Sequence, residues 1–163
     1  MSDLIDAFTT AGTNKGLYYG GAFQTAQTKA VVDVINPATA NRFTTVPDGS
    51  LADVDAAVAA ARLAFKDWSA LDPIDRARHL RRFADVIREN IPKLAVLETI
   101  VTGRALKEMK AQMGRIPEWI EYFAGIAMGL EGESNVVKGG YITLTHYTPL
   151  GPVALLTPWN HPI

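Results

Sequence analysis

The residues best suited to chemistry lie at the end of the chain, where Thr157, Pro158, Trp159 and Asn160 precede His161 and a further proline. The apolar run before them, residues 153–156, is typical of a strand buried on both faces. Open α/β sheets present ligand-binding groups at the carboxyl ends of such strands. The Asn160 carboxamide can donate to a developing oxyanion without a change of charge, and Trp159 offers a rigid face and an indole N–H. A turn with a purely structural role is the alternative, and the residues alone favour it.

The other candidate groups form no recognisable catalytic or metal-binding pattern. The 163 residues contain no cysteine, which excludes a thiolate nucleophile or a cysteine-based metal site within them. His79, His146 and His161 are too scattered for a histidine metal cluster, and a surface or interface role suits His146 better than that of a base. Glu131 and Glu133 flank a glycine in a turn and do not converge. The paired glycines match no nucleotide-binding fingerprint.

Charge and hydropathy exclude two classes of partner. The chain has 16 Lys and Arg against 17 Asp and Glu, so no overall field attracts nucleic acid or an acidic membrane. Basic residues crowd the segment from Arg76 to Arg88, but interleaved acidic residues favour a solvated helix face. No apolar run reaches the roughly 18 residues of a membrane span, and the acidic N-terminus lacks a signal-peptide layout. We therefore expect a cytoplasmic protein that binds neither nucleic acid nor membrane.

Short β-like runs and turn residues fill residues 1–49. Gly20 and Gly21 separate two aromatic-containing runs, which predicts two strands at a glycine turn. The β-branched run at residues 31–35 stops at Asn36-Pro37, and the next run, residues 42–46, stops at Pro47. Together these runs predict a small antiparallel β element that forms an N-terminal arm.

Residues 50–131 are Ala-rich and predict helices. Ser50 and Asp53 have the spacing of a capping box, which starts the first helix. Asp72-Pro73 starts a second helix, with an N-cap carboxylate and a proline at its first position. Apolar faces are expected on both helices, formed in the first by Val54, Val58, Ala61, Phe65 and Trp68, and in the second by Ala77, Leu80, Ala84, Ile87 and Ile91.

The later helices contain residues that interrupt helices. Pro92 is expected to end the second helix near Asn90 and to start a third over residues 92–102, with Gly103 as its C-terminal stop. A fourth helix over residues 105–127 is expected to kink or split, because Gly114 and Pro117 lie inside it. The aromatic cluster on that helix favours core or interface packing over a ligand wall; its members are Trp119, Tyr122 and Phe123.

Strand-like runs return after residue 133. Residues 141–147 alternate with period two and predict the clearest strand of the chain. Because residues 153–156 read as a buried strand that leads at once into a turn, we expect an α/β unit that continues beyond its first strand.

Taken together, these segments resemble the N-terminal part of the NAD(P)-dependent aldehyde dehydrogenase superfamily. The resemblance runs from about residue 16 onward and covers roughly the first third of such an enzyme. It implies an α/β fold in four parts: an arm over residues 1–49, the helical layer of the cofactor-binding domain over 50–131, a β-extension for subunit association over 134–150, and the first strand and turn of the cofactor-binding sheet over 151–163. The matching segments are residues 34–39 (Asn36-Pro37-Ala38-Thr39 among them), 46–47, 53–62, 65–68, 76–84, 98–104, 149–153 and 157–162.

The resemblance also implies roles for single residues. Asn160 matches the asparagine whose amide holds the aldehyde oxygen as it becomes an oxyanion, together with the backbone N–H of the nucleophilic cysteine. Thr157, Pro158 and Trp159, with Asn160, match the turn that borders NAD or NADP. In the implied reaction a thiolate attacks the aldehyde, hydride passes to the cofactor, and water activated by a glutamate releases the carboxylate. The implied assembly is a homo-oligomer.

Several positions depart from the family pattern. His161 stands where phenylalanine is frequent, and Pro117 interrupts a helix that usually continues. Without cysteine, the chain is expected to be inactive by itself, as a segment of a longer enzyme. The alternative is a non-catalytic, truncated paralogue that acts as an interaction module, pairing with full-length subunits through the strand at residues 141–147.

Overall fold

The computed structural model describes residues 16–163, so the first 15 residues of the predicted arm lie outside the described part. The described part begins with two β-hairpins. Strands β1 (Leu17–Tyr19) and β2 (Ala22–Gln24) pair antiparallel around Gly20 and Gly21, whose φ angles of 62° and 80° suit glycine. Strands β3 (Val31–Ile35) and β4 (Arg42–Pro47) form the second hairpin. The predicted antiparallel strands are confirmed.

Helix α1 (Leu51–Ala70) begins at the predicted capping box. The Asp53 N–H donates to the Ser50 hydroxyl at 3.3 Å, and the Ser50 N–H donates to the Asp53 carboxylate at 2.9 Å. The Gln27 N–H donates to the same carboxylate at 3.1 Å, which ties the helix start to the chain between the hairpins. The predicted apolar face of α1 remains largely uncovered, since Val54, Val58 and Trp68 are all exposed among the described residues.

Helix α2 runs without interruption over Pro73–Thr102, so the predicted break at Asn90 and Pro92 is wrong. Pro92 lacks an N–H and costs the helix one backbone hydrogen bond. The two halves of α2 nevertheless pack against the helices that follow, through one apolar face of the helix. Ala84 is buried on that face before the proline and Ala95 after it. Tertiary packing thus outweighs the local preference of one residue.

The two ends of α2 are, in most respects, those that the sequence predicts. Pro73 occupies the first turn and Asp72 is the N-cap, although the Asp72 side chain makes no capping hydrogen bond. Gly103 ends the helix in the left-handed conformation, with φ of 77°, as predicted. The expected apolar stripe of this helix is buried or half-buried along its length, from Ala77 to Ile91.

The predicted fourth helix is split, as expected, into α3 (Leu106–Met113) and α4 (Arg115–Met128). The division falls at Gly114. Pro117 lies in the first turn of α4, where a missing N–H leaves no hydrogen bond unmade, so it does not interrupt that helix. The buried core lies where α3 and α4 pack on α2, and it is formed by Ala95, Met109 and Met113, with Ile91, Leu94, Leu106 and Ile116 packed against them.

The last part of the chain forms one more hairpin, from β5 (Ser134–Val137) and β6 (Tyr141–Leu144). The strand predicted at residues 141–147 is shorter than expected by three residues, because β6 ends at Leu144. Beyond that end, the Thr145 N–H donates to the Glu133 carbonyl at 2.8 Å. Residues 153–156, predicted as a strand, are not a strand here. A strand exists only as one member of a ladder, and none of the described strands pairs with this segment.

No helix within residues 16–163 combines the length and the apolar character needed to cross a lipid bilayer.

Candidate functional site

Asn160 lies in a turn with Trp159, on an exposed stretch of chain. Its carboxamide is exposed and makes no hydrogen bond to any of the described residues. Trp159 is 90% exposed, so its face and its indole N–H are equally uncovered. Thr157 and Pro158 are exposed as well. The four predicted site residues, which are consecutive in the chain, are thus all exposed, and none of their side chains has a hydrogen bond to another described residue.

The residue after Asn160 is held firmly. A guanidinium nitrogen of Arg104 contacts His161 Nε2 directly, and His161 Nδ1 lies 3.9 Å from Oε1 of Glu98. Arg104 also makes an ion pair of 3.1 Å with Glu108, one helical turn further along. The imidazole is therefore placed between a cation in the connection that follows α2 and a carboxylate on α2 itself.

Glu98 is an unusual group at this position. Its side chain is only 3% exposed, and its Oε1 atom is buried without a hydrogen-bond partner among the described residues. Burial raises the pKa of the Glu98 carboxyl, because the charged form loses its hydration, while nearby His161 and Arg104 lower that pKa in part. The carboxylate is thus a buried acceptor whose capacity is not used up inside the fold.

The end of α2 determines where Arg104 points. The Thr102 hydroxyl donates to the Glu98 carbonyl at 2.7 Å and accepts from the Arg104 N–H at 3.3 Å. Gly103 turns the chain with positive φ, and a Cβ at this position would come within 2.8 Å of Pro37. Glycine is therefore required here both by backbone conformation and by the close approach of the turn between β3 and β4.

Two cavities adjoin this cluster. One, of about 400 Å³, is lined by Glu98 and His161 together with Arg115 and Trp119. The other, of about 360 Å³, is more apolar and lies on the side of β3 and β4. Glu98 and Ile163 line both cavities, so the last residues of the chain lie between them.

The remaining candidates from the sequence lie elsewhere. Trp119, Tyr122 and Phe123 are exposed rather than packed in a core. His146 lines a separate cavity of about 540 Å³ beside Trp68. Within residues 16–163, no group of three His, Asp or Glu side chains is placed to hold a metal ion.

The basic segment of α2 behaves as a solvated face. Arg78 pairs with Asp75 at 2.6 Å, and Arg88 pairs with Asp85 at 2.5 Å and with Glu121 on α4 at 2.6 Å. These contacts pair two of its arginines with acidic neighbours, and the expectation that it binds no nucleic acid stays a prediction.

Sequence reasoning missed Glu98 and Arg104 as partners of His161. The available signal was a glutamate within the apolar pattern at the end of α2, where residues 95, 96 and 100 are buried. A charged residue on a buried helix face requires a partner. The partner lies 63 positions away in the sequence, and no local pattern predicts such a contact.

Comparison with known proteins identifies the family. A sequence profile described as the aldehyde dehydrogenase family matches residues 23–163, most of the chain and all of the site. The chain belongs to the aldehyde dehydrogenase family. A curated aldehyde dehydrogenase, the hydroxyisobutyraldehyde dehydrogenase of Mycolicibacterium austroafricanum, is 37% identical over 158 residues, which is 97% of this chain and 31% of that protein.

Solved aldehyde dehydrogenases share the architecture. Betaine aldehyde dehydrogenase from Staphylococcus aureus, in complex with NAD+, is 32% identical with a TM-score of 0.77, covering 84% of this chain and 27% of that one. Lactaldehyde dehydrogenase from Escherichia coli is 31% identical with a TM-score of 0.73, covering 77% and 26%. The α/β fold predicted from the sequence is confirmed as resembling the N-terminal part of these enzymes. The chain spans about a third of the curated relative's length.

Proposed function

We propose that this chain forms part of an NAD(P)-dependent aldehyde dehydrogenase, in which Asn160 donates a hydrogen bond to the aldehyde oxygen as it becomes an oxyanion. The observation that carries this proposal is the free Asn160 carboxamide, exposed and without a partner among the described residues of a chain that belongs to this family. A donor that is already bonded within its own fold would have to break that bond to act. Within residues 16–163, the Asn160 side chain has no such bond to break.

The residues beside Asn160 are proposed to border the cofactor. NAD(P)+, when bound, accepts the hydride that the aldehyde loses. Trp159 offers an uncovered aromatic face and an indole N–H, and Thr157 offers an exposed hydroxyl, which are groups able to contact a nicotinamide ribose. Support for NAD comes from the Staphylococcus aureus relative, whose structure contains NAD+.

The nucleophile must come from outside these 163 residues, because they contain no cysteine. We propose that a thiolate elsewhere attacks the aldehyde carbon and that the resulting oxyanion is held by Asn160. The thioester that remains after hydride loss is hydrolysed to the carboxylate. The 163 residues alone are therefore proposed to be inactive, and a cytoplasmic location and homo-oligomer formation stay predictions.

Replacing Asn160 tests the proposal. In the polypeptide that carries this segment together with a cysteine-bearing remainder, Asn160→Ala should lower kcat by about 10²–10³-fold, the loss typical of one oxyanion donor. The measurement is aldehyde-dependent formation of NAD(P)H. Asn90→Ala is the matched control, since that carboxamide donates only to the Val86 carbonyl of its own helix. Unchanged turnover in Asn160→Ala would contradict the role of Asn160.

A non-catalytic interaction module is the second candidate function. The absence of cysteine favours it, and so do the exposed strands of the β5–β6 hairpin, which leave apolar groups such as Val136 and Ile142 available to a partner. The reading frame downstream of residue 163 discriminates the two. A continuation that encodes a cysteine supports the enzyme, and a genuine stop codon supports the module.

A further inference from the structure

We propose that Glu98 and Arg104 are positioning residues for Asn160: they hold the His161 imidazole between them and so orient the carboxamide of the preceding residue. This inference rests on the function proposed above for Asn160. It assigns a role to a buried glutamate and an arginine that the oxyanion chemistry itself does not involve.

The first argument is attachment. Residues 152–160 are all exposed, and His161 and Pro162 are the first half-buried positions after them. Of the described side chains in residues 157–163, the one with a polar contact to the helices is His161. Its backbone is joined directly to that of Asn160. The orientation of the Asn160 turn is therefore anchored to the helical body from one side, at His161.

The second argument is the hydrogen-bond direction at the imidazole. A guanidinium is a donor only, so Nε2 of His161 must accept from Arg104 with its lone pair. The proton of the neutral ring then lies on Nδ1, the nitrogen that faces Glu98 Oε1 at 3.9 Å. That distance exceeds a hydrogen bond, so Glu98 acts on the ring electrostatically. The two charged groups select one tautomer and one ring orientation.

The third argument is that both holding groups are themselves fixed. Glu98 is buried within α2, where its carbonyl accepts from Thr102 at 2.7 Å. Arg104 follows the glycine turn at the end of that helix and pairs with Glu108 at 3.1 Å. Groups supported by a helix end and an ion pair hold a contact more precisely than unsupported loop side chains do.

Steady-state kinetics of the cysteine-bearing polypeptide test the inference. Arg104→Met and Glu98→Gln should each lower kcat, by up to about 10²-fold for a displacement near 1 Å, with KM little changed. Arg104→Lys should recover part of the loss, since it keeps a charged donor. Arg82→Met is the matched control, because Arg82 is exposed on α2 and lines neither cavity beside His161, so kcat should be unchanged.

The tautomer of His161 gives a second readout that needs no turnover. In the 163-residue chain labelled with ¹⁵N-histidine, the His161 imidazole shifts should show the proton on Nδ1, and Arg104→Met should abolish that preference while Arg82→Met retains it. A proton on Nε2 in the unsubstituted chain would overturn the inference, whatever the kinetics of the variants.

The outcomes separate the two proposals. If Asn160→Ala retains full activity, the proposed function fails. If Asn160→Ala loses activity while Arg104→Met and Glu98→Gln retain the kcat of the control, the proposed function stands and the positioning role is refuted. A loss of kcat with Arg104→Met that Arg104→Lys partly restores supports both.

Discussion

Glu98 combines features that rarely occur together in a residue kept only for stability. Its carboxyl is buried at the end of α2, one oxygen lacks a hydrogen-bond partner among the described residues, and His161 Nδ1 lies 3.9 Å from that oxygen. Burying a carboxylate costs free energy, because the charged form loses its hydration. The fold therefore retains a group that is costly to bury next to the segment that carries Asn160.

The raised pKa of Glu98 predicts how stability depends on pH. Below the ordinary value of 4.5 the carboxyl is protonated in both states and imposes no penalty. As pH rises from 4.5 through the raised folded pKa, the unfolded state releases its proton first, so the free energy of unfolding falls. Glu98→Gln should lack this fall and should gain stability relative to the unsubstituted chain as pH increases toward neutrality.

Urea unfolding at a series of pH values measures this difference. Glu89→Gln is the control, because Glu89 is exposed on the same helix. A Glu98→Gln variant whose relative stability does not vary with pH would show that the carboxyl is hydrated in solution.

The start of α1 shows how local chemistry defines an element. Two backbone N–H groups, those of Ser50 and Gln27, converge on the Asp53 carboxylate. The hydrogen bond from the Ser50 hydroxyl, at 2.7 Å, is the main cause that lowers the pKa of Asp53. The same carboxylate both caps the helix and fixes the preceding loop, so the helix start doubles as a tertiary contact.

Removing the capping hydroxyl should therefore weaken the helix start. Ser50→Ala is expected to lower the free energy of unfolding by about 1 kcal/mol. It should also raise the pKa of Asp53 toward its ordinary value, since the largest cause of its lowering is gone. Ser69→Ala in the last turn of α1 is the matched control, because that hydroxyl donates only to the Lys66 carbonyl of its own helix. Equal stabilities of the two variants would contradict the capping role.

Across the described part of the chain, much apolar surface is left uncovered. Large side chains are exposed on α1, on α4, on the last hairpin and above all on residues 150–159, where Leu150 is 99% exposed and Leu156 is 95% exposed. The buried core is confined to the junction of α2 with α3 and α4. Contiguous exposed apolar surface of this kind is typical of regions that pack against further protein.

The 163-residue chain should accordingly bind a hydrophobic dye strongly and tend to associate. The double substitution Leu155→Ser and Leu156→Ser should reduce dye binding and association, because it removes two highly exposed apolar side chains. Dye fluorescence and light scattering measure them. A monodisperse monomer that binds no dye would contradict the expectation that these surfaces pack against further protein.

The sequence by itself determined the features that depend on neighbours in the chain. These features act through backbone conformation and local hydrogen bonds, and the turns and helix ends they predict are observed. They are the paired glycines, the Ser50–Asp53 spacing, Gly103 and Gly114. The family resemblance likewise came from short motifs in a fixed order. These signals are local, so no knowledge of the remaining fold was needed to interpret them.

Only the tertiary structure decided the rest. Pro92 lies inside a continuous helix because packing on both sides of it outweighs its local cost. Residues 153–156 are apolar like a strand but are not one here, because a strand needs a partner and none of the described strands pairs with them. The contacts of His161 with Glu98 and Arg104 join residues about sixty positions apart, which come together when the end of the chain lies against α2. Contacts of that range depend on the whole fold, and no local pattern contains them.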